Sequence, residues 1–189
     1  MSEARPLIAV FGSSIAREGD TIWTLSRDLG VALARAGADV MTGGYSGAME
    51  GCSRGAHEAG GHVVGVTVEL FEKRGPANRW VKERVHTPDL FERLRVIVTR
   101  ADGFAVLPGS VGTLTELFLA WTLVSVDAHA APPLVLVGEH WQAWLDAHRH
   151  PMLVPARLYQ HVCVARTAEE AARMVVDGVR AAKTARAGN

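Results

Sequence analysis

The run Pro108-Gly109-Ser110-Val111-Gly112-Thr113-Leu114-Thr115-Glu116 sets two glycines and a serine a few residues ahead of a carboxylate. Backbone without a Cβ approaches a ligand closely and reaches positive φ at little cost. Where such a run opens a helix, the unpaired N–H groups and the positive end of the helix dipole suit a phosphate. Two further runs have the same character, Gly12-Ser13-Ser14 and Gly43-Gly44-Tyr45-Ser46-Gly47. Each alone is compatible with a purely structural turn, but three at one edge of a sheet would make a phosphate cradle. Glu116 is expected within about one turn of its helix's start, beside that cradle. Acidic residues also favour first helical turns electrostatically, so position alone does not assign it a role.

Alternating elements must bring these runs together. Leu7–Phe11 reads as a strand, Thr21–Ala36 as a helix capped by Asp20 or Thr21 and stopped by Gly37, and Asp39–Thr42 as a strand. Ala48–Ala59 is expected to be a small-residue helix and His62–Val68 a strand. The charged stretch Glu69–Trp80, with Gly75 and Pro76, reads as a surface excursion. Beyond it come a strand at Val81–Val85, a helix at Asp89–Ala101 and a strand at Gly103–Leu107. A turn at Pro108–Gly112 then leads to an apolar helix at Thr113–Val126, buried on more than one side. Pro133–Val137 and His161–Val164 read as strands around a short helix at Trp141–Ala147, and a helix from Ala168 to about Ala185 precedes a fraying end. Strands apolar throughout, joined by helices, predict a doubly wound, Rossmann-like α/β parallel sheet of about seven strands, one domain over residues 1–189. Ligands then bind outside the carboxyl ends of the strands.

Composition narrows the ligand. Lys plus Arg and Asp plus Glu both number 20, so no overall field attracts nucleic acid or an anionic membrane. No apolar run nears the roughly 20 residues that span a bilayer, and Leu7–Phe11 is too short for a signal-peptide core, which predicts a cytoplasmic protein. Cys52 and Cys163 lack metal or redox spacing and are expected as buried free thiols. The histidines show no metal-ligand spacing, and neither a metal nor a redox cofactor is expected. The Gly43–Gly47 run matches neither the dinucleotide fingerprint nor the Walker A loop. What remains is a phosphorylated, nucleotide-like small molecule.

The Pro108–Glu116 run resembles the P-G-G-x-G-T-x-x-E signature of the Lonely Guy (LOG) family, long misnamed lysine decarboxylase. Gly43-Gly44-Tyr45-Ser46-Gly47-Ala48-Met49 is similar to that family's G-G-x-x-G-x-M loop, and Val10-Phe11-Gly12-Ser13-Ser14 to its first-strand ending. The similarity spans roughly Ile8 to Val137. It implies a phosphoribohydrolase that splits nucleoside 5′-monophosphates, including cytokinin ribotides, into free base and ribose 5-phosphate. The family's catalytic pair maps onto Arg93, in Asp89-Leu90-Phe91-Glu92-Arg93-Leu94, and Glu116, with the family's separation of 23 residues. Without the resemblance, Arg93 would read as a solvent-exposed helix residue paired with Glu92 or Glu116.

The resemblance also assigns the remaining roles. Gly12, Ser13, Gly43, Gly44, Gly47, Met49, Pro108, Gly109, Ser110, Val111, Gly112 and Thr113 would hold phosphate and ribose. Glu116 would stabilise positive charge on the ribose ring or position water, and Arg93 would clamp phosphate or assist the departing base. Relatives are homodimers with sites near the subunit interface, so a homodimer is expected. Ser110, Phe91 and Leu94 depart from the family's glycine, histidine and lysine, the last removing a positive charge expected near the ligand. Molybdenum cofactor carrier proteins, which bind a phosphorylated pterin without cleaving it, share the fold and supply the non-catalytic alternative. A carrier needs the cradle but not the pair Arg93 and Glu116.

Overall fold

The computed structural model describes residues 4–73, 75–126, 131–150 and 154–187. Seven strands follow one another as β1 (Leu7–Phe11), β2 (Asp39–Thr42), β3 (Val63–Val68), β4 (Glu83–Thr87), β5 (Gly103–Val106), β6 (Leu134–Val137) and β7 (Cys163–Ala165). Between and after them lie α1 (Thr21–Arg35), α2 (Ala48–Glu58), α3 (Glu69–Glu72), α4 (Leu90–Arg100), α5 (Val111–Val126), α6 (His140–His148) and α7 (Ala168–Ala187). All strands pair in parallel, in the order β4-β3-β2-β1-β5-β6-β7. The expected doubly wound α/β sheet is therefore what forms.

β1 lies between β2 and β5, with Leu7 opposite Asp39 and Ile8 opposite Gly103. The chain winds outward from β1 in both directions, so the crevice beyond its carboxyl end is the sheet's topological switch point. The five inner strands are apolar because helices cover both faces. On one face Leu29 and Leu33 of α1, Cys52 and Ala56 of α2 and Val175 of α7 pack on Ile8, Val40 and Val135. On the other, Ile97 of α4, Leu117 and Trp121 of α5 and Trp141 of α6 pack on Phe11, Met41 and Phe104.

The small residues of α2 now have a reason. A Cβ on Gly30 of α1 would strike the Cys52 carbonyl, and one on Gly55 would strike that of Arg27, so the two helices touch backbone to backbone. The Ser26 hydroxyl donates to the Ala48 carbonyl at 2.5 Å. Gly37, at φ +84°, turns the chain out of α1, and the Ala38 N–H donates to the Leu33 carbonyl at 3.0 Å.

Several boundaries differ from those expected. β4 spans Glu83–Thr87 rather than Val81–Val85; it is an edge strand, and its mixed sequence Glu-Arg-Val-His-Thr lacks the apolar signal of an inner one. β7 runs Cys163–Ala165, preceded by a 3-10 turn at Ala156–His161 that the sequence reading did not anticipate. Cys163 opens this edge strand and is exposed, whereas Cys52 is buried as expected, its thiol pushed up by burial. Helix α7 persists to Ala187 rather than ending at about Ala185, so residues 186–187 of the expected fraying end are helical, and residues 188–189 lie outside the described residues. Among the described residues no helix is long and apolar enough to cross a membrane.

Candidate active site

The three glycine-rich runs do converge. Gly12 follows β1 in close contact with α2 and with the end of β5, since a Cβ there would stand 2.9 Å from the Ala48 Cβ and 3.1 Å from that of Leu107. Ser13 joins all three runs: its N–H donates to the Pro108 carbonyl at 3.2 Å, and its carbonyl accepts from the Ala48 N–H at 2.8 Å. Gly44 and Gly47 take positive φ, +79° and +77°, and a Cβ on Gly47 would run into the Ser13 carbonyl. Gly12, Gly43, Gly109 and Gly112 do not take positive φ. Close approach is the reason at Gly109, where a Cβ would fall on the Thr113 hydroxyl and 3.0 Å from the Ser13 nitrogen.

Both α2 and α5 point their N-termini into this convergence. The first N–H groups of a helix have no intrahelical partner and carry a partial positive charge. Helix α5 starts at Val111, two residues earlier than its glycine content suggested, because Gly112 fits in a first turn whose Leu114 N–H donates to the Ser110 carbonyl at 3.0 Å. Ser110, Val111 and Gly112 are exposed, so Val111 offers backbone rather than its outward side chain; Thr113 is buried against Gly109. Glu116 is thus the sixth residue of α5 rather than one of its first turn. First-turn electrostatics therefore do not account for an acid at this position.

Helix α4 supplies the second charged group. Its N-cap Asp89 accepts from the Glu92 N–H at 2.8 Å, and Arg93, on the first turn, turns inward one helical turn before the core residue Ile97. Arg93 is only 6% exposed. Its Nε–H donates to the Val66 carbonyl at 2.9 Å, and Nη1 stands 3.5 Å from Glu116 Oε1. Nη2, together with the Met49 sulfur, occupies the volume that a Cβ on Gly43 would need. Glu92 instead pairs with Arg95 at the surface, so of the two partners open to Arg93 in the sequence, the fold selects Glu116.

The pair is enclosed, with side chains 7% and 14% exposed. Burial pushes the Glu116 carboxyl up to about 7, against the opposing pull of the Arg93 charge. An acid held there exchanges its proton near neutral pH, the range in which a group both takes and gives protons efficiently. Among the described residues no group of three or more His, Cys, Asp or Glu is placed to hold a metal ion.

A family model described as "Possible lysine decarboxylase" matches residues 49–175. The chain belongs to the LOG family. It is 33% identical over 151 residues to a cytokinin riboside 5′-monophosphate phosphoribohydrolase of Mycobacterium tuberculosis, covering 77% of this chain and 71% of that one. Its identity to the enzyme of the same name from Rhodococcoides fascians is 30% over 155 residues, covering 79% and 78%. Among solved structures it is similar to the molybdenum cofactor binding protein of Rippkaea orientalis, with TM-score 0.67, 25% identity and 89% and 94% of the two chains covered.

Against the LOG pattern, the structure places two departures away from the charged pair. Phe91, 86% exposed, and Leu94 line a groove of about 730 Å³ with Val98, Leu119 and Leu123, between the outer faces of α4 and α5. A lysine at position 94 would open onto this groove. The third departure, Ser110, is exposed on the loop that enters α5. Sequence reasoning passed over Tyr45, Phe71 and Asn78. The Asn78 N–H donates to the Gly44 carbonyl at 2.8 Å and its Nδ2 to the Tyr45 carbonyl at 3.0 Å, so the excursion after β3 is tied to the glycine loop of β2. A single tyrosine among the glycines was the one visible signal.

Proposed function

We propose that this protein is a phosphoribohydrolase that cleaves the N-glycosidic bond of a purine nucleoside 5′-monophosphate to free base and ribose 5-phosphate. The observation that carries the reading is the enclosed pair Arg93–Glu116 beside three converging glycine-rich loops. In this reading Gly12, Ser13, Gly43, Gly44, Gly47, Met49 and the Pro108–Thr113 run hold phosphate and ribose. The names of the relatives from Mycobacterium tuberculosis and Rhodococcoides fascians support the reaction class.

The chemistry follows from charge. As the bond from the anomeric carbon to the base nitrogen breaks, its electron pair leaves with the base and positive charge builds on the ribose. The Glu116 carboxyl, which burial brings to titrate near neutral pH, faces that charge in its ionised form in a site of low dielectric and stabilises it. A water then adds to the anomeric carbon, its proton passing to Glu116 and from there to the base, which restores the carboxylate. Arg93, permanently charged, holds Glu116 in place and offsets charge on the departing base.

Incubating the protein with AMP and with N6-substituted AMP of the cytokinin ribotide type, and separating the products, tests this reading. Free base and ribose 5-phosphate in equal amounts are expected, and Glu116→Gln should bind AMP within a few-fold while turning over at least a hundredfold more slowly. The alternative, a non-catalytic carrier of a phosphorylated pterin such as molybdenum cofactor, is favoured by the structure from Rippkaea orientalis. Tight pterin binding with no base released from any nucleotide would establish it instead. The groove of Phe91, Leu94, Val98, Leu119 and Leu123 is the surface through which a homodimer would form, and the free thiols Cys52 and Cys163 fit a reducing, cytoplasmic setting.

A further inference from the structure

Residues 69–73 and 75–80, which follow β3, are fixed at both ends of the stretch. At the near end, the Tyr45 hydroxyl accepts from the Val68 N–H at 2.9 Å and donates to the Val68 carbonyl at 3.0 Å. Two hydrogen bonds to one residue immobilise the Tyr45 ring, and Phe71 of α3 meets that ring edge to face, centroids 5.9 Å apart at 71°. At the far end, beside the Asn78 contacts described above, the Trp80 indole lies 4.5 Å from the Arg79 guanidinium carbon, 5.6 Å from that of Arg54 and 5.5 Å from the His57 ring. The segment is therefore a strap, anchored to the glycine loop and to α2.

The strap brings its half-buried phenylalanine to the charged pair. The Arg93 guanidinium carbon lies 5.9 Å from the Phe71 centroid, within cation–π range, and Nη1 of the same side chain faces Glu116. The Arg93 guanidinium is thus within reach of both the Phe71 ring and the Glu116 carboxylate. A nucleotide runs from phosphate through ribose to base. With its phosphate at the N-terminus of α5 and its anomeric carbon at Glu116, its base extends towards Arg93 and Phe71.

Resting on the function proposed above, we propose that the strap is the base-recognition wall of the site and that the substrate's planar base stacks on the Phe71 ring. Phe71 is then a specificity-determining residue, its ring held in place by Tyr45 before ligand arrives. Stacking of a base on an aromatic ring tolerates many ring systems, so the wall selects for a fused, planar heterocycle over a bare sugar phosphate and leaves finer choice to other contacts.

Calorimetric titration in the Glu116→Gln background, where ligand is not consumed, separates this role from a structural one. Adding Phe71→Ala is expected to weaken AMP about tenfold while ribose 5-phosphate affinity stays within twofold. Phe71→Trp should keep AMP within twofold, and Phe71→Leu, which preserves bulk against Tyr45 if the alanine variant unfolds, should still weaken AMP at least threefold. Equal weakening of AMP and ribose 5-phosphate, or no weakening of AMP in either the alanine or the leucine variant, overturns the stacking wall alone. If neither ligand binds the parent Glu116→Gln protein, the hydrolase reading falls and the stacking wall falls with it.

Discussion

Replacing Glu116 by glutamine should stabilise the fold increasingly as pH rises, because the wild-type carboxyl is held in a place that disfavours its charge. Burial lifts its pKa from the ordinary 4.5 to about 7. Between those values the native state binds the proton and the unfolded state has lost it, so wild-type stability falls as pH rises through this window and levels off above about 7. The full linkage is about 3 kcal/mol, and most of it, about 2–3 kcal/mol, falls between pH 5 and pH 8. Glutamine does not titrate. It also leaves Arg93 without its counter-charge, but that penalty is constant because the guanidinium stays protonated throughout. The two effects separate in urea unfolding of both proteins at several pH values. The stability of Glu116→Gln minus that of wild type should increase by about 2–3 kcal/mol between pH 5 and pH 8, whatever its sign at pH 5. A difference that stayed within about 0.5 kcal/mol over this range would show that burial does not hold the proton, and the acid–base role given to Glu116 would fail with it.

Other outcomes follow from the same geometry. The kcat/KM for base release should rise with pH through about 7 and then level off, because the ionised carboxylate is the form that meets the developing charge; a profile flat from pH 5 to 9 would remove Glu116 from the step. Gly43→Ala would push Arg93 and the Met49 sulfur aside; activity should drop at least a hundredfold and urea unfolding should show a loss of about 1–3 kcal/mol. Gly47→Ala combines φ +77° with a collision on the Ser13 carbonyl, and should lower stability by at least about 1–3 kcal/mol in the same assay. Leu119→Glu in the α4–α5 groove should turn a dimer into a monomer by sedimentation without altering the circular dichroism spectrum; a wild-type monomer would end the dimer proposal.

How far residues announce their place depends on which surfaces they face. Val40, Val63, Ala105 and Leu136 are buried on both sides of the sheet, and their uninterrupted apolarity marked them as inner strands. Glu83, Arg84 and His86 sit on an edge, where one side meets water, and β4 was accordingly misplaced by two residues. Gly112 read as a turn because glycine is a poor helix former, yet it lies in the first turn of α5. The pairing of Arg93 with Glu116 was open in the sequence, since Glu92 is adjacent; what decides it is the inward rotation of α4, fixed by the hydrogen bond to Val66 and by Ile97. The strap was invisible for a different reason. Phe71, Asn78 and Trp80 are held by contacts with Tyr45, Gly44 and Arg54, and no local period encodes partners that distant.

The place of β1 between β2 and β5 has a consequence for the order in which the molecule becomes competent. A growing chain that has not yet produced residues 103–106 leaves one side of β1 unpaired and apolar, the kind of open flank on which unfinished sheets associate with one another. Ser13 meanwhile lacks the Pro108 carbonyl that receives its N–H. Grip on a small molecule and closure of that flank are thus completed by the same stretch of chain, and a form able to hold ligand is one that has already lost its stickiest surface.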